Sequence, residues 1–148
     1  MPGPASAHRP VVLKLNLPCD LSQVRPAAVA ARRFLLQHGC AENETLDFEM
    51  AFVEACNNGI QHATPSARHE PLALEIICHD DVIESRLTDH TPGFDWPAKP
   101  PLPGNDSESG RGIYLIQTLM DECRYERGEG ENMLVLRKKR IRPKQKGE

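Results

Sequence analysis

Three short blocks of this chain carry side chains suited to a phosphorylated ligand. The first lies at residues 52–63. Read as helix, it sets Glu54 and Asn58 at i and i+4, stacked about 5–6 Å apart at Cβ, with His62 one turn further on. A carboxylate, an amide and an imidazole then share a face, opposite an apolar stripe of Phe52, Val53, Cys56, Ile60 and Ala63. Asn58 offers a neutral oxygen to a hard cation such as Mg²⁺, which keeps waters and phosphate oxygens at its other positions. Glu54 can accept a proton from an attacking hydroxyl. His62 can bond a phosphate or cap the helix end. Asn57 falls on another face and ranks below Asn58. The ordinary alternative for such a trio is a solvated helix surface.

The second block is Asp89-His-Thr-Pro-Gly93. Asp89 stands where a β-rich run ends, a suitable acceptor for the exocyclic amine of adenine; a surface aspartate closing a strand is the plain alternative. Gly93 lets the chain pass close to a ligand at φ values other residues avoid. The third block, Gly110-Arg-Gly112, opens a helical pattern, where free N–H groups and the helix dipole attract anions. Arg111 either reaches a phosphate or faces solvent.

The elements that must hold these blocks follow from periodicity. Residues 11–17 alternate as a first strand. Asp20 and Gln23 form a helix-start capping pair, and Val24, Ala27, Ala28, Ala31, Phe34 and Leu35 recur at helical spacing up to about His38, with Gly39 as the stop. A central helix runs from about Glu42 to Ala63 and is closed by Thr64-Pro65. Residues 72–78 and 82–88 read as a hairpin, residues 112–120 as a helix, and 123–127 with 133–137 as a final hairpin. Residues 90–109 are aperiodic, with five prolines between 92 and 103, as expected of a functional or mobile loop. This order predicts an α+β chain: a two-layer sandwich with helices on one face of a mixed, mostly antiparallel sheet.

Size and composition set limits. The 148 residues suit one domain, expected at 11–138, between a loose arm at 1–10 and a basic tail at 139–148. Seven of the 18 basic residues fall in the last twelve positions, and residues 1–136 carry 11 basic against 20 acidic side chains. An acidic body argues against a direct nucleic-acid binder, and the tail is expected to be a solvated, disordered end. No apolar run is long enough for a membrane span, and the N-terminus lacks a signal-peptide pattern, so a cytoplasmic protein is expected. Five cysteines without a CxxC pair argue against a disulfide framework, with Cys56 and Cys78 expected in the core.

Taken together, the blocks resemble the ATP site of the gyrase, chaperone, histidine-kinase and MutL superfamily, whose domain is the Bergerat ATP-binding fold. Glu54-x-x-x-Asn58 resembles its N-box, Asp89-His-Thr-Pro-Gly93-Phe its first glycine box, and Gly110-Arg-Gly112-Ile-Tyr-Leu-Ile its second, with a lid between them. Glu54-Ala-Cys-Asn-Asn-Gly-Ile-Gln-His62 is similar to the pattern of bacterial anti-sigma-factor serine/threonine kinases of the partner-switching type. That resemblance implies a kinase using ATP and Mg²⁺, with Glu54 as the base and Asn58 on the metal. It implies that nucleotide is held by Asn58, His62, Asp89, Gly93, Phe94, Gly110, Arg111, Gly112 and Ile113. It also implies an anti-sigma factor antagonist of the STAS type as substrate, a sigma factor as second partner, and a homodimer. Two departures stand out. Thr91 replaces the first glycine of the Asp-x-Gly-x-Gly box, so that turn must differ or the site is weakened, since a β-branched residue resists φ > 0. A threonine that supports the adenine-side aspartate in some relatives is missing near Asn132-Met133. The rival expectation is a sigma-sequestering binding module with nucleotide as structural ligand and little turnover. A third, a hydrolysis-driven clamp, lacks a transducer domain.

Overall fold

The computed structural model describes residues 9–93, 96 and 108–141, and for 108–110 the backbone alone. Five strands form one sheet: β1 (Val11–Leu17), β2 (Leu72–Cys78), β3 (Val82–Asp89), β4 (Glu122–Arg127) and β5 (Asn132–Lys139). Their order is β1-β2-β3-β5-β4. Every neighbouring pair among the described residues is antiparallel, in keeping with the mostly antiparallel sheet expected. Short hairpins join β2 to β3 and β4 to β5, which requires antiparallel pairing. Three helices supply the second layer: α1 (Val24–Gln37), α2 (Glu42–Gln61) and α3 (Glu108–Leu119). Among the described residues, no helix is long and apolar enough to cross a membrane.

Alternation along the strands decides which face is covered. Leu72, Leu74 and Ile76 of β2, Ile83 and Leu87 of β3, and Leu134 and Leu136 of β5 join one core with Ala28, Leu35, Phe48, Phe52, Cys56 and Ile116 of the helices. Phe48 and Phe52 stack one turn apart, ring centroids 5.9 Å from each other, and both are fully buried. Truncating either to alanine costs about 3–5 kcal/mol. The opposite sheet face carries charge instead. Glu84 is 2% exposed there, held by Arg86 Nε (2.6 Å), Arg137 Nη1 (3.0 Å) and His79 Nε2 (3.4 Å).

Helix ends follow local chemistry. Asp20 Oδ1 accepts from the Ser22 N–H (2.9 Å) and caps a 3-10 turn leading into α1, at the first residue of the expected capping pair. After α1, Cys40 N–H donates to Leu35 O and Gly39 N–H to Leu36 O, a Schellman closure at the expected glycine. Ala41 has no capping side chain; the carboxylate of Glu44 accepts the Ala41 N–H (2.9 Å) in its place. Glu44 Oε2 also accepts the Ile141 N–H (2.6 Å), tying the start of α2 to the chain beyond β5.

The first basic residues near the C-terminus are not merely solvated. Lys138 Nζ donates to Leu119 O (2.8 Å), and Arg140 Nη1 donates to His79 O (2.7 Å). Cys40 and Cys78, buried, bring their sulfurs to 3.6 Å as free thiols. Burial first, then the neighbouring Cys78, pushes the Cys40 thiol up to about 12. Residues 1–8 of the expected arm, most of the expected lid and residues 142–148 lie outside the described residues.

Candidate functional site

Helix α2 carries Glu54 and Asn58 on the side that meets Gly112 of α3, with His62 just past its end. Asn58 is 6% exposed and Glu54 half-buried, while His62 is exposed. Asn58 Nδ2 is buried without a hydrogen-bond partner. Helix α3 comes this close because Gly112 has no side chain. A Cβ at Gly112 would lie 2.8 Å from Glu54 Oε2 and 3.7 Å from Asn58 Nδ2 and Oδ1. The third block thus meets the first at two functional side chains. Helix α3 begins at Glu108, so Gly110 and Arg111 lie in its first turn and Gly112 just past it, slightly deeper than a helix-opening Gly-x-Gly. Arg111 is exposed and Ile113 is buried. His62 is the C-cap of α2, its N–H donating to Asn58 O (3.0 Å).

The second block sits at the end of β3. Asp89 is 5% exposed. Its Oδ1 accepts from Thr91 N–H (3.0 Å), Thr91 Oγ1–H (2.8 Å) and Asn132 Nδ2 (2.9 Å). The sheet register sets this up, pairing Asp89 directly with Asn132 across β3 and β5. Among the described residues no hydrogen bond uses Asp89 Oδ2. Thr91 Oγ1 in turn accepts the Gly93 N–H (3.1 Å). The turn does differ from one built on two glycines. No described non-glycine residue has positive φ, and the left-handed step falls on Gly93 alone, at φ +82°. Thr91 therefore carries no backbone strain; its hydroxyl joins the turn's hydrogen bonds.

A small cavity of about 20 Å³ lies between the first two blocks. Asn58, His62, Asp89 and Thr91 supply its polar lining, and Ala55, Leu87, Leu134, Tyr125 and Trp96 its apolar walls. Trp96 stacks on Tyr125 with centroids 5.8 Å apart. In chemistry, apolar walls around a buried carboxylate match a flat heteroaromatic ring carrying an amine donor, which the cavity must widen to admit. Of the expected residues, Gly93 follows the same turn, Phe94 lies outside the described residues, and Ile113 is not among the residues lining the pocket. The periodicity missed Asn132 as a partner of Asp89, and Tyr125 and Leu134 as walls. Only the registers of β5 against β3 and β4 reveal them.

The donors also bear on a metal. Among the described residues no group of three or more His, Cys, Asp or Glu side chains could hold an ion. Asn58 Oδ1, beside the gap left by the missing Cβ of Gly112, is the oxygen that would serve a Mg²⁺ ion taking one protein ligand and drawing the rest from water and phosphates.

The comparisons with known proteins agree with this geometry. Residues 17–138 match the histidine kinase-like ATPase domain family. The serine-protein kinase RsbW of Bacillus subtilis is 32% identical over 101 residues, covering 62% of this chain and 63% of that relative. RsbW of Listeria monocytogenes is 27% identical over 132 residues, covering 83% of this chain and 84% of the relative. Among solved structures, the RsbU and RsbW domains of a Mycobacterium tuberculosis protein align with TM-score 0.66 at 18% identity, over 90% of this chain and 33% of that one. The SiaB–SiaC complex of Pseudomonas aeruginosa aligns with TM-score 0.54 at 18% identity, over 86% of this chain and 89% of that one. A buried aspartate at a strand end, an Asn-bearing helix and a glycine helix packed on it, on an antiparallel sheet, are joined here by a family match over most of the sequence: the chain belongs to the histidine kinase-like ATPase domain family.

Proposed function

We propose that this chain is an ATP- and Mg²⁺-dependent serine/threonine protein kinase and anti-sigma factor that phosphorylates an anti-sigma factor antagonist in a bacterial partner-switching system. The observation that carries the proposal is the packing of Gly112 against Glu54 Oε2 and Asn58, with Asn58 also lining the pocket that holds Asp89. The RsbW relatives, named serine-protein kinases, support a protein serine as the acceptor.

In this reading Asp89 Oδ2 accepts the exocyclic amine of adenine, and the ring lies between Leu87, Leu134 and Tyr125. The first turn of α3, with Gly110 and Arg111, presents N–H groups to the phosphates. Asn58 holds the Mg²⁺ ion, which supplies charge neutralisation at the phosphate oxygens. Glu54 takes the proton of the attacking Ser or Thr hydroxyl as that oxygen bonds to the γ-phosphorus and the bond to ADP breaks. A homodimer and a sigma factor as second partner belong to the same proposal. The rival, a binding module without turnover, drew its support from strain at Thr91; with that strain absent, no observation favours it.

The test is phosphate transfer to the antagonist protein by wild type and two variants. Glu54→Gln keeps shape and hydrogen bonding but loses the proton acceptor, so transfer should fall about 10²–10⁴-fold while ATP binding holds. Asn58→Ala should lose Mg²⁺-dependent binding as well. No phosphorylated antagonist from wild type would establish the binding-module reading. Unchanged transfer by Glu54→Gln would remove Glu54 as the base.

A further inference from the structure

We infer that Asn132, acting with Thr91, is a positioning residue that fixes the Asp89 carboxylate and thereby sets the base selectivity of the pocket. The inference rests on the nucleotide reading above and concerns how this chain achieves it. Asn132 opens β5 directly across the ladder from Asp89 and is 1% exposed. The two close partners of its Nδ2 are acceptors, Asp89 Oδ1 at 2.9 Å and Thr91 O at 2.8 Å, with a longer contact to Thr91 Oγ1 at 3.5 Å. The amide orientation is therefore determined, since the flipped form would set an oxygen against two oxygens.

The arrangement leaves Asn132 Oδ1 buried without a partner. An unsatisfied buried acceptor is costly, and a residue needed only to fill space at this position would avoid it. What the amide achieves is saturation of one carboxylate oxygen. With Thr91 N–H and Thr91 Oγ1–H it gives Asp89 Oδ1 three donors from two directions. The carboxylate cannot rotate without breaking all three. A single acceptor, Oδ2, is left for a ligand, in a fixed direction at the pocket wall. An amine-bearing six-position on a purine pairs with that oxygen. A six-oxo purine sets a second acceptor against it and is rejected, because a polar site left unpaired discriminates strongly. If Asp89 were free to turn, it could move aside or recruit water, and the distinction would fade.

Equilibrium titration of the full chain with ATP–Mg²⁺ and GTP–Mg²⁺, followed by calorimetry, tests this. Asn132→Ala should raise the ATP Kd about tenfold and shrink the ATP-over-GTP preference by a similar factor, the effect of one charge-assisted hydrogen bond. Thr91→Val, nearly isosteric, should shift the preference in the same direction by less, because the Thr91 N–H remains; it decides the matter if Asn132→Ala does not fold. Circular dichroism melts accompany each titration. A variant that melts earlier yet keeps the wild-type ATP-over-GTP ratio would show a purely structural role and overturn the inference. A wild type that discriminates, with both variants discriminating equally well, overturns it while leaving the nucleotide reading intact. A wild type that binds neither nucleotide overturns both.

Discussion

Replacing Gly112 by alanine should separate the stability of the fold from the chemistry of the site. A Cβ there would sit 2.8 Å from Glu54 Oε2, about 0.6 Å short of the 3.4 Å at which ordinary contact begins. Asn58, at 3.7 Å, is already in ordinary contact and need not move. The displaced atom is the end of a flexible side chain, so Glu54 yields and α3 stays in place. Gly112 is helical, with no positive φ, and alanine is the better helix former by about 1 kcal/mol. The melting temperature should therefore hold or rise. Misplacing a reacting group by up to about 1 Å costs as much as about 10²-fold in rate, so antagonist phosphorylation should fall by about ten- to a hundredfold. ATP affinity should change little. The assay is the initial rate of antagonist phosphorylation at saturating ATP, with a thermal melt of the same sample. Wild-type turnover in a folded Gly112→Ala protein would refute the placement of Glu54 against this glycine as catalytically relevant.

Gly93→Ala should act on both fold and binding. It forces φ +82° on a residue with a side chain, and its Cβ would meet Arg127 Nε at 2.8 Å and Asn132 Oδ1 at 2.9 Å. A loss of about 1–3 kcal/mol in denaturant unfolding and weaker ATP binding are expected; an unchanged midpoint would contradict the turn geometry. Glu84 gives a pH signature. Burial alone would raise its carboxyl, but the hydrogen bond and charge of Arg86, with Arg137 and His79, outweigh it and hold it below the usual carboxylate range. A lowered carboxyl contributes stability that is complete above the unfolded value, near about 4.3, and is lost as pH falls through the lower folded value. Glu84→Gln should thus lower the melting temperature at pH 7 and flatten the acid-side decline; a variant with the wild-type pH profile would count against the cluster.

Much of this fold was legible because its patterns are local. The stripe Phe52, Cys56, Ile60 named the buried side of α2, and Gly39 named the end of α1. The site was legible as three blocks, since Glu54 and Asn58 share a face through simple helical spacing. What the sequence could not show depends on pairing between distant segments. Asn132 reaches Asp89 only because β3 and β5 pair in one register, 43 positions apart in sequence. The apparent defect at Thr91 disappears for a local reason: its hydroxyl bridges Asp89 and Gly93, two residues to either side. The strand order β1-β2-β3-β5-β4 is likewise not written in periodicity. The early basic residues seemed a solvated tail because nothing local reveals that Arg140 would meet His79 and Glu44.

The central claim is that the pocket under Asp89 binds ATP. Calorimetric titration of the wild-type chain and Asp89→Asn with ATP–Mg²⁺, paired with the fluorescence of Trp96 at the pocket wall, tests it most directly. The account predicts saturable binding by wild type, a Trp96 signal that tracks it, preference for ATP over GTP, and clear weakening in Asp89→Asn, whose amide replaces one acceptor oxygen with a donor. A wild-type protein that shows no heat and no fluorescence change up to millimolar ATP, or an Asp89→Asn variant that binds as tightly as wild type, would contradict it.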